Sequence, residues 1–297
     1  MRKLLKGLGW VLGVVVVAVV ALVAFAWWRT ERMLAETYTV ADPPLVMATD
    51  AATLDHGRHQ FTQLGCAHCH GEQGQGHVVF DAPPGRLVAP NLTPTGLGTR
   101  YDADGIAAAI RHGVRADGHP LRFMPAADFH NLSDADTAAL VAYVQALPPS
   151  ANVPPELVIR PLGRVLTVLG QFELVPAAQI DHTPQERTAP PAGPTAEYGA
   201  YLAQRCTGCH GDQFAGGHVP GTPPSFPDAA NLTPHAQGLG PWSLADFQHT
   251  IRTGINPSGH KLDEFMPWKA YATMSDDELA ALYAFLRTVP EKAPVKR

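Results

Sequence analysis

Cys66, Cys69 and His70 stand as Cys-x-x-Cys-His, and Cys206, Cys209 and His210 repeat the pattern about 140 residues later. Two thiols at this spacing can form thioethers with the vinyl groups of a haem, and the adjoining histidine can bind the iron from one face. A zinc knuckle, a thiol redox pair or two disulfides are the competing chemistries. The chain has four cysteines, all in these two pentads, each pair followed directly by histidine. That pattern favours two covalently held haems and leaves no spare thiol for a disulfide or a nucleophile.

A haem attached this way keeps its sixth iron position open, and the ligand there separates electron transfer from catalysis. Met124 and Met266 are the expected ligands, each in Phe-Met-Pro and each at a similar interval after its own motif. A thioether is a soft ligand that favours ferrous iron and raises the potential relative to a second imidazole. Ordinary core packing is the alternative for a methionine beside phenylalanine. Six methionines in all, two at matched positions, favour the ligand reading. The histidine pairs His77/His218 and His119/His260 are as well repeated. They are expected to support the haem, with direct ligation as the alternative. The other histidines, including His68, read as surface residues.

Helices must position these groups. A helix over about 49–64 leads into Cys66, a second is expected over 102–111 with Ile106 and Ile110 on one face, and a third opens at Ser133 with Asp136 as an acidic capping box. The second half repeats this order, with helices from about 195, over 244–253, and from Ser275 with Glu278 as its capping box. Asn91 to Pro94 matches Asn231 to Pro234, and the halves can be laid over each other as a domain duplication. Between them, a proline-rich stretch contains Leu162, Val165, Leu166, Leu169 and Phe172 at helical spacing, read as a short helix packed on a haem domain. Arg160 and Arg164 beside it are placed to reach haem propionates.

Arg2, Lys3 and Lys6 precede an apolar run from Gly7 to Trp28 that holds no ionisable side chain. It is long enough to span a bilayer, and Trp27 and Trp28 suit an interfacial anchor. A cleaved signal peptide is the competing reading, but the run is longer than a signal core and ends in two tryptophans. The basic N-terminus predicts a cytoplasmic start and a periplasmic bulk, in a single-pass protein of the inner (cytoplasmic) membrane. Covalent haem attachment generally takes place on that side. The net charge is −5, and beyond residue 32 the balance falls to about −9. That excludes a nucleic-acid partner, which needs a basic surface.

The segments Ile110 to Gly118, Phe123 to Pro125 and Leu132 to Val144, with Pro148-Pro149 and Val153 to Pro155 opening the linker, resemble class I cytochrome c domains. More narrowly, they are similar to the cytochrome c subunits of membrane-bound alcohol, aldehyde and gluconate dehydrogenases, over about residues 48–290. The resemblance implies two tandem class I cytochrome c domains; with the apolar run read above, the expected architecture is all-α, two such domains behind a single N-terminal transmembrane helix. It implies covalent haem c at Cys66, Cys69, Cys206 and Cys209, and the axial iron pairs His70/Met124 and His210/Met266. Such subunits take electrons from a partner dehydrogenase and pass them onward at the membrane, often to a quinone.

The expected organisation is an anchor over 1–32, a tether over 33–48, a first haem domain over 49–149, a linker over 150–194 and a second haem domain over 195–291. The expected function is single-electron transfer in a periplasmic respiratory chain, with the membrane and redox proteins (a dehydrogenase, a soluble cytochrome or an oxidase) as partners. Alternatives are a dihaem enzyme of peroxidase or thiosulfate-oxidising type, which would need an open iron position or an unusual ligand, and a dihaem subunit of a terminal oxidase.

Overall fold

The computed structural model describes residues 2–295. Helix α1 (Arg2–Ala35) continues well past the apolar run, and between Leu5 and Ala35 it is long and apolar enough to cross a membrane. In the first half, α2 (Ala51–Gln63) leads into the short α3 (Cys66–His70). Strands β1 (His77–Ala82) and β2 (Gly85–Ala89) follow, then α4 (Ala103–His112), the single turn α5 (Ala126–Phe129) and α6 (Asp134–Gln145). The linker supplies β3 (Val158–Ile159) and α7 (Pro161–Val168). The second half runs α8 (Ala196–Ala203), α9 (Thr207–His210), α10 (Leu244–Thr253), α11 (Trp268–Tyr271) and α12 (Asp276–Leu286).

Local chemistry starts and stops these helices. Asp50 caps α2 by accepting from the Ala52 and Thr53 N–H groups, and Asp102 caps α4 through Gly105 N–H. Ser275 and Glu278 form the full reciprocal capping box on α12. Ser133 caps α6 through Asp136 N–H, but the return bond of the expected box is missing. The reason is a stronger use of the carboxylate: Asp136 accepts from the Tyr201 hydroxyl and lies 2.6 Å from His56 Nε2.

Helices dominate, but the all-α expectation missed a small antiparallel sheet of order β1-β2-β3. Val78 to Phe80 and Leu87 to Val88 are good strand formers, and Pro83-Pro84 turns the chain between them. The matching stretch of the second half reads Val219-Pro220-Gly221-Thr222-Pro223-Pro224, whose prolines remove ladder donors, and only the Gly217–Ala229 bridge forms there.

In each half the first and last helices cross at a glycine. A methyl built on Gly57 would sit 2.1 Å from the Ala139 carbonyl oxygen of α6, and one on Gly199 would sit 1.9 Å from that of Ala281 in α12. Tyr143 and Phe285 close the two crossings from the side. Buried residues of both halves, from Phe61 and Leu140 to Leu202 and Leu279, join in one hydrophobic cluster.

A polar seam joins the halves above that core. Beside the Asp136 contacts, the Ser133 N–H donates to Tyr201 Oη at 3.0 Å. His59 Nε2 and Gln63 Nε2 reach the Glu278 carboxylate at 3.0 and 3.1 Å, and Arg205 donates to Gln63 Oε1 at 3.0 Å. Burial alone would raise the Glu278 pKa, but the donors His59, Ser275 N–H and Gln63 outweigh it and hold the carboxyl down at about 2.

The segments on either side of the first domain are packed rather than free. Tyr38 N–H donates to Gly118 O at 2.8 Å, and Asp42 pairs with His112 and Arg187. In the linker, Leu174, Val175 and Ala177 pack with Val114, while Gly163 of α7 lies against the Pro84 carbonyl. The two linker arginines, expected beside haem propionates, are paired with carboxylates: Arg160 with Asp81 at 2.7 Å, and Arg164 with Glu31 of α1 at 2.6 Å. Carboxylates on adjacent elements claim both guanidinium groups.

Two outcomes follow for stability. Gly57→Ala and Gly199→Ala should each destabilise the holoprotein by about 1–3 kcal/mol in urea denaturation, because a backbone carbonyl must move to admit the methyl. A Glu278 pKa lowered in the fold stabilises above the unfolded value near 4.5, and that contribution is lost as pH falls toward 2. Glu278→Gln should therefore lower Tm most at neutral pH, and its deficit against the wild type should shrink steadily below about pH 4.5.

Candidate haem sites

Leu64 caps the C-terminal end of α2, and Gly65, in the left-handed conformation at φ 74°, turns the chain directly into α3. One short turn of helix then places Cys66 and Cys69 three residues apart, with His70 beside them. Burial pushes the Cys66 thiol up to about 12 and the Cys206 thiol up to about 11. Burial thus disfavours the thiolate at both positions, the opposite of the activation seen in thiol redox pairs.

The histidines are oriented by the loops that follow them. His70 Nδ1 lies 3.0 Å from the Pro90 carbonyl oxygen, and His210 Nδ1 lies 2.7 Å from that of Ala230. A carbonyl can only accept, so Nδ1 carries the proton in both rings and Nε2 keeps its lone pair. Burial lowers both imidazole pKa values and keeps the rings neutral, the state a metal ligand requires.

The supporting loops match bond for bond. Gly76 N–H donates to His70 O and Gly216 N–H to His210 O, while Leu92 N–H reaches Gly74 O and Leu232 N–H reaches Phe214 O. Thr93 N–H donates to Asn91 Oδ1 at 2.9 Å, and Thr233 N–H to Asn231 Oδ1 at 2.8 Å. Gly74 and Phe214 hold the same left-handed turn position, at φ 67° and 56°. In the first half a side chain would strike Leu147, which explains glycine there.

In the first half these groups open onto a cavity of about 210 Å³. Cys66, Cys69 and His70 line it together with Met124 and Arg122, and the rest of the wall is mostly apolar, including Phe61, Ile110 and Leu140. The Met124 loop is held from outside its own domain. Phe123 sits at φ 62°, a costly conformation for a bulky residue. Its N–H donates to the Leu174 carbonyl at 3.1 Å, and its ring meets Phe172 edge-on at 4.9 Å. In the second half Cys206 and Met266 pack against the shared core, and Phe265 beside Met266 meets Phe226 edge-on at 5.3 Å.

His77 and His218 are exposed, His119 lies 3.4 Å from Asp117, and neither His77 nor His119 lines the cavity. His260 and His68 are exposed as well.

The sequence offered no signal for the contact between the Met124 segment and the second motif. Asp128, four residues after Met124, lies 3.0 Å from the Cβ position of Gly208, inside Cys206–His210. Burial, helped by the nearby Glu173 charge, pushes the Asp128 carboxyl up to about 6. Arg205, immediately before Cys206, is tied to Gln63, three residues before Cys66. The two attachment loops are thereby linked across the domain boundary.

The first cavity fits a covalently held haem: two neutral sulfurs and an imidazole with a free Nε2 stand on one wall, a thioether also lines it, and apolar side chains fill most of the rest. A cytochrome c family profile matches the chain twice, over residues 54–148 and 196–290. The fructose dehydrogenase cytochrome subunit of Gluconobacter japonicus is 26% identical over 89% of this chain and 58% of its own length. The gluconate 2-dehydrogenase cytochrome c subunit of Pantoea cypripedii is 39% identical over 29% of this chain and 21% of its own length. The cytochrome c subunit of the quinone-dependent alcohol dehydrogenase of Gluconacetobacter polyoxogenes is 30% identical over 38% of this chain and 25% of its own length. The chain spans less than two thirds of the length of these relatives. Each family match falls on a half whose Cys-x-x-Cys-His histidine is held at Nδ1 by a backbone carbonyl, and the chain is thus a member of the cytochrome c family, an electron-transport protein with covalently bound haem c in both halves.

Proposed function

We propose that this chain is a membrane-tethered dihaem relay, taking single electrons from a dehydrogenase partner on the periplasmic side and passing them to a quinone or another acceptor. The similarity to dehydrogenase cytochrome subunits supports the donor, and α1 supports the tether. In this reading residues 1–32 anchor the protein in the inner membrane, 49–149 and 195–291 are the haem domains, and 33–48 and 150–194 connect them.

A haem c supplies a one-electron iron couple when bound. Cys66 and Cys69, and Cys206 and Cys209, attach the two groups. His70 and His210 offer Nε2 to iron, with Nδ1–H held by the Pro90 and Ala230 carbonyls. Met124 and Met266 would each supply a thioether to the same iron as the histidine of their half, which suits electron transfer rather than substrate binding. The seam from Gln63 to Arg205 and the approach of Asp128 to Gly208 keep the two centres together, which suits transfer between them.

The shared cavity of His70 and Met124 is the observation that carries this reading. Met124→Ala and Met266→Ala should each abolish one haem's share of the weak ferric sulfur-to-iron absorption band and lower that haem's potential, and the double variant should lose the band. An unchanged ferric spectrum in both single variants would refute the ligand assignment. Phe172→Ala removes an edge-on ring contact worth about 0.5–1.5 kcal/mol. It should lower the temperature at which the first haem's band disappears while leaving the second haem's band in place. Co-purification from native membranes checks the partner: a dehydrogenase is expected, and a copper-haem oxidase in its place would displace this reading.

A further inference from the structure

Helix α7 has two opposed faces. Gly163 and Arg164 are buried, Gly163 against the Pro84 carbonyl and Arg164 against α1. The Arg164 guanidinium lies over the Trp27 ring at 3.9 Å, pairs with Glu31 at 2.6 Å and donates to Thr30 Oγ1. At roughly 100° per residue, Leu162, Val165, Leu166 and Leu169 fall in one stripe on the side away from these contacts. Leu162 is 46% and Leu169 57% exposed, and no charged residue interrupts the stripe.

The place where α7 meets α1 gives this apolar stripe its occupant. Trp27, Thr30 and Glu31 lie at the end of the apolar run from Gly7 to Trp28, which as a helix is about 33 Å long against a hydrocarbon core of about 30 Å. The contact therefore sits at the level of the lipid headgroups. Trp27 and Trp28 are both about half exposed there, and Arg32 lies over the Trp28 ring at 5.2 Å, an arrangement of aromatic rings and cations suited to the bilayer interface.

We infer that residues 161–169 form a second membrane contact, an amphipathic helix lying in the bilayer interface beside the exit of α1, with Leu162, Val165, Leu166 and Leu169 against lipid and Arg164 clamping it to the anchor. The inference rests on the proposed tether and extends it. The first haem domain is then mounted on the bilayer at two points, and Phe172 and Leu174, which hold the Phe123 loop, follow directly from the lipid-seated helix.

The test uses the full-length holoprotein in vesicles of phosphatidylethanolamine and phosphatidylglycerol, doped with a phosphatidylcholine bearing a photoactivatable diazirine high on its acyl chain. Lipid adducts located by mass spectrometry are expected on the α7 peptide as well as on α1. Adducts on α1 alone would overturn the second contact and leave the tether standing, whereas their absence from α1 would overturn the tether and this inference with it. A thiol introduced as Leu169→Cys should react with a water-soluble maleimide at least tenfold more slowly in vesicles than one introduced as Val153→Cys, a site 88% exposed. Equal rates, or slow reaction without lipid adducts on α7, as a covering protein would give, would also overturn it.

Discussion

The Pro90 carbonyl can only accept a hydrogen bond, so His70 must give it the Nδ1 proton and keep an unprotonated Nε2, the atom that the proposed iron ligation uses. The loop from Gly71 to Leu92 exists to return that carbonyl to the histidine. It is closed by Gly76 N–H on His70 O, by Leu92 N–H on Gly74 O and by Thr93 N–H on Asn91 Oδ1. The second half makes the same closures through Gly216, Leu232 and Asn231. Among the described residues the β-hairpin is found only in the first half: the orienting bond depends on where the loop ends and tolerates different chain in between.

Two glycine crossings set the frame around those loops. At Gly57 and Gly199 the helices approach so closely that a backbone carbonyl occupies the space of a side chain, which draws the first and last helix of each half together beside the attachment loop. The halves are then fused through one hydrophobic cluster and a polar seam in which Glu278 serves twice, at a helix start and across the domain boundary, while the Asp136 carboxylate takes the Tyr201 hydroxyl and lies against His56. Burying these carboxylates is tolerable because each has several donors. The seam also brings Gln63, just before the first motif, to Arg205, just before the second.

The linker braces the loop that carries Met124 rather than hanging as a leash between the halves. Its strand extends the hairpin, its Leu174 and Phe172 hold Phe123 in a left-handed conformation, and its Arg164 is gripped by Thr30 and Glu31 of α1. A bulky residue at positive φ persists only where its surroundings over-determine it, and here they come from some fifty residues further along the chain.

Sequence alone determined the chemistry: four cysteines in two pentads, a histidine after each pair, a methionine at a matched place in each half, and helices whose caps and periodicity could be read locally. These features are legible because attachment, capping and amphipathic spacing act over a few residues. Tertiary structure decided the rest. It recruited Asp136 away from its capping box to Tyr201, turned Arg164 from an expected haem partner into a clamp on α1, and set Asp128 beside Gly208. Each of these joins residues between about 65 and 135 positions apart, and which distant partner satisfies a buried charge depends on the packing of whole elements, a quantity that no local pattern encodes.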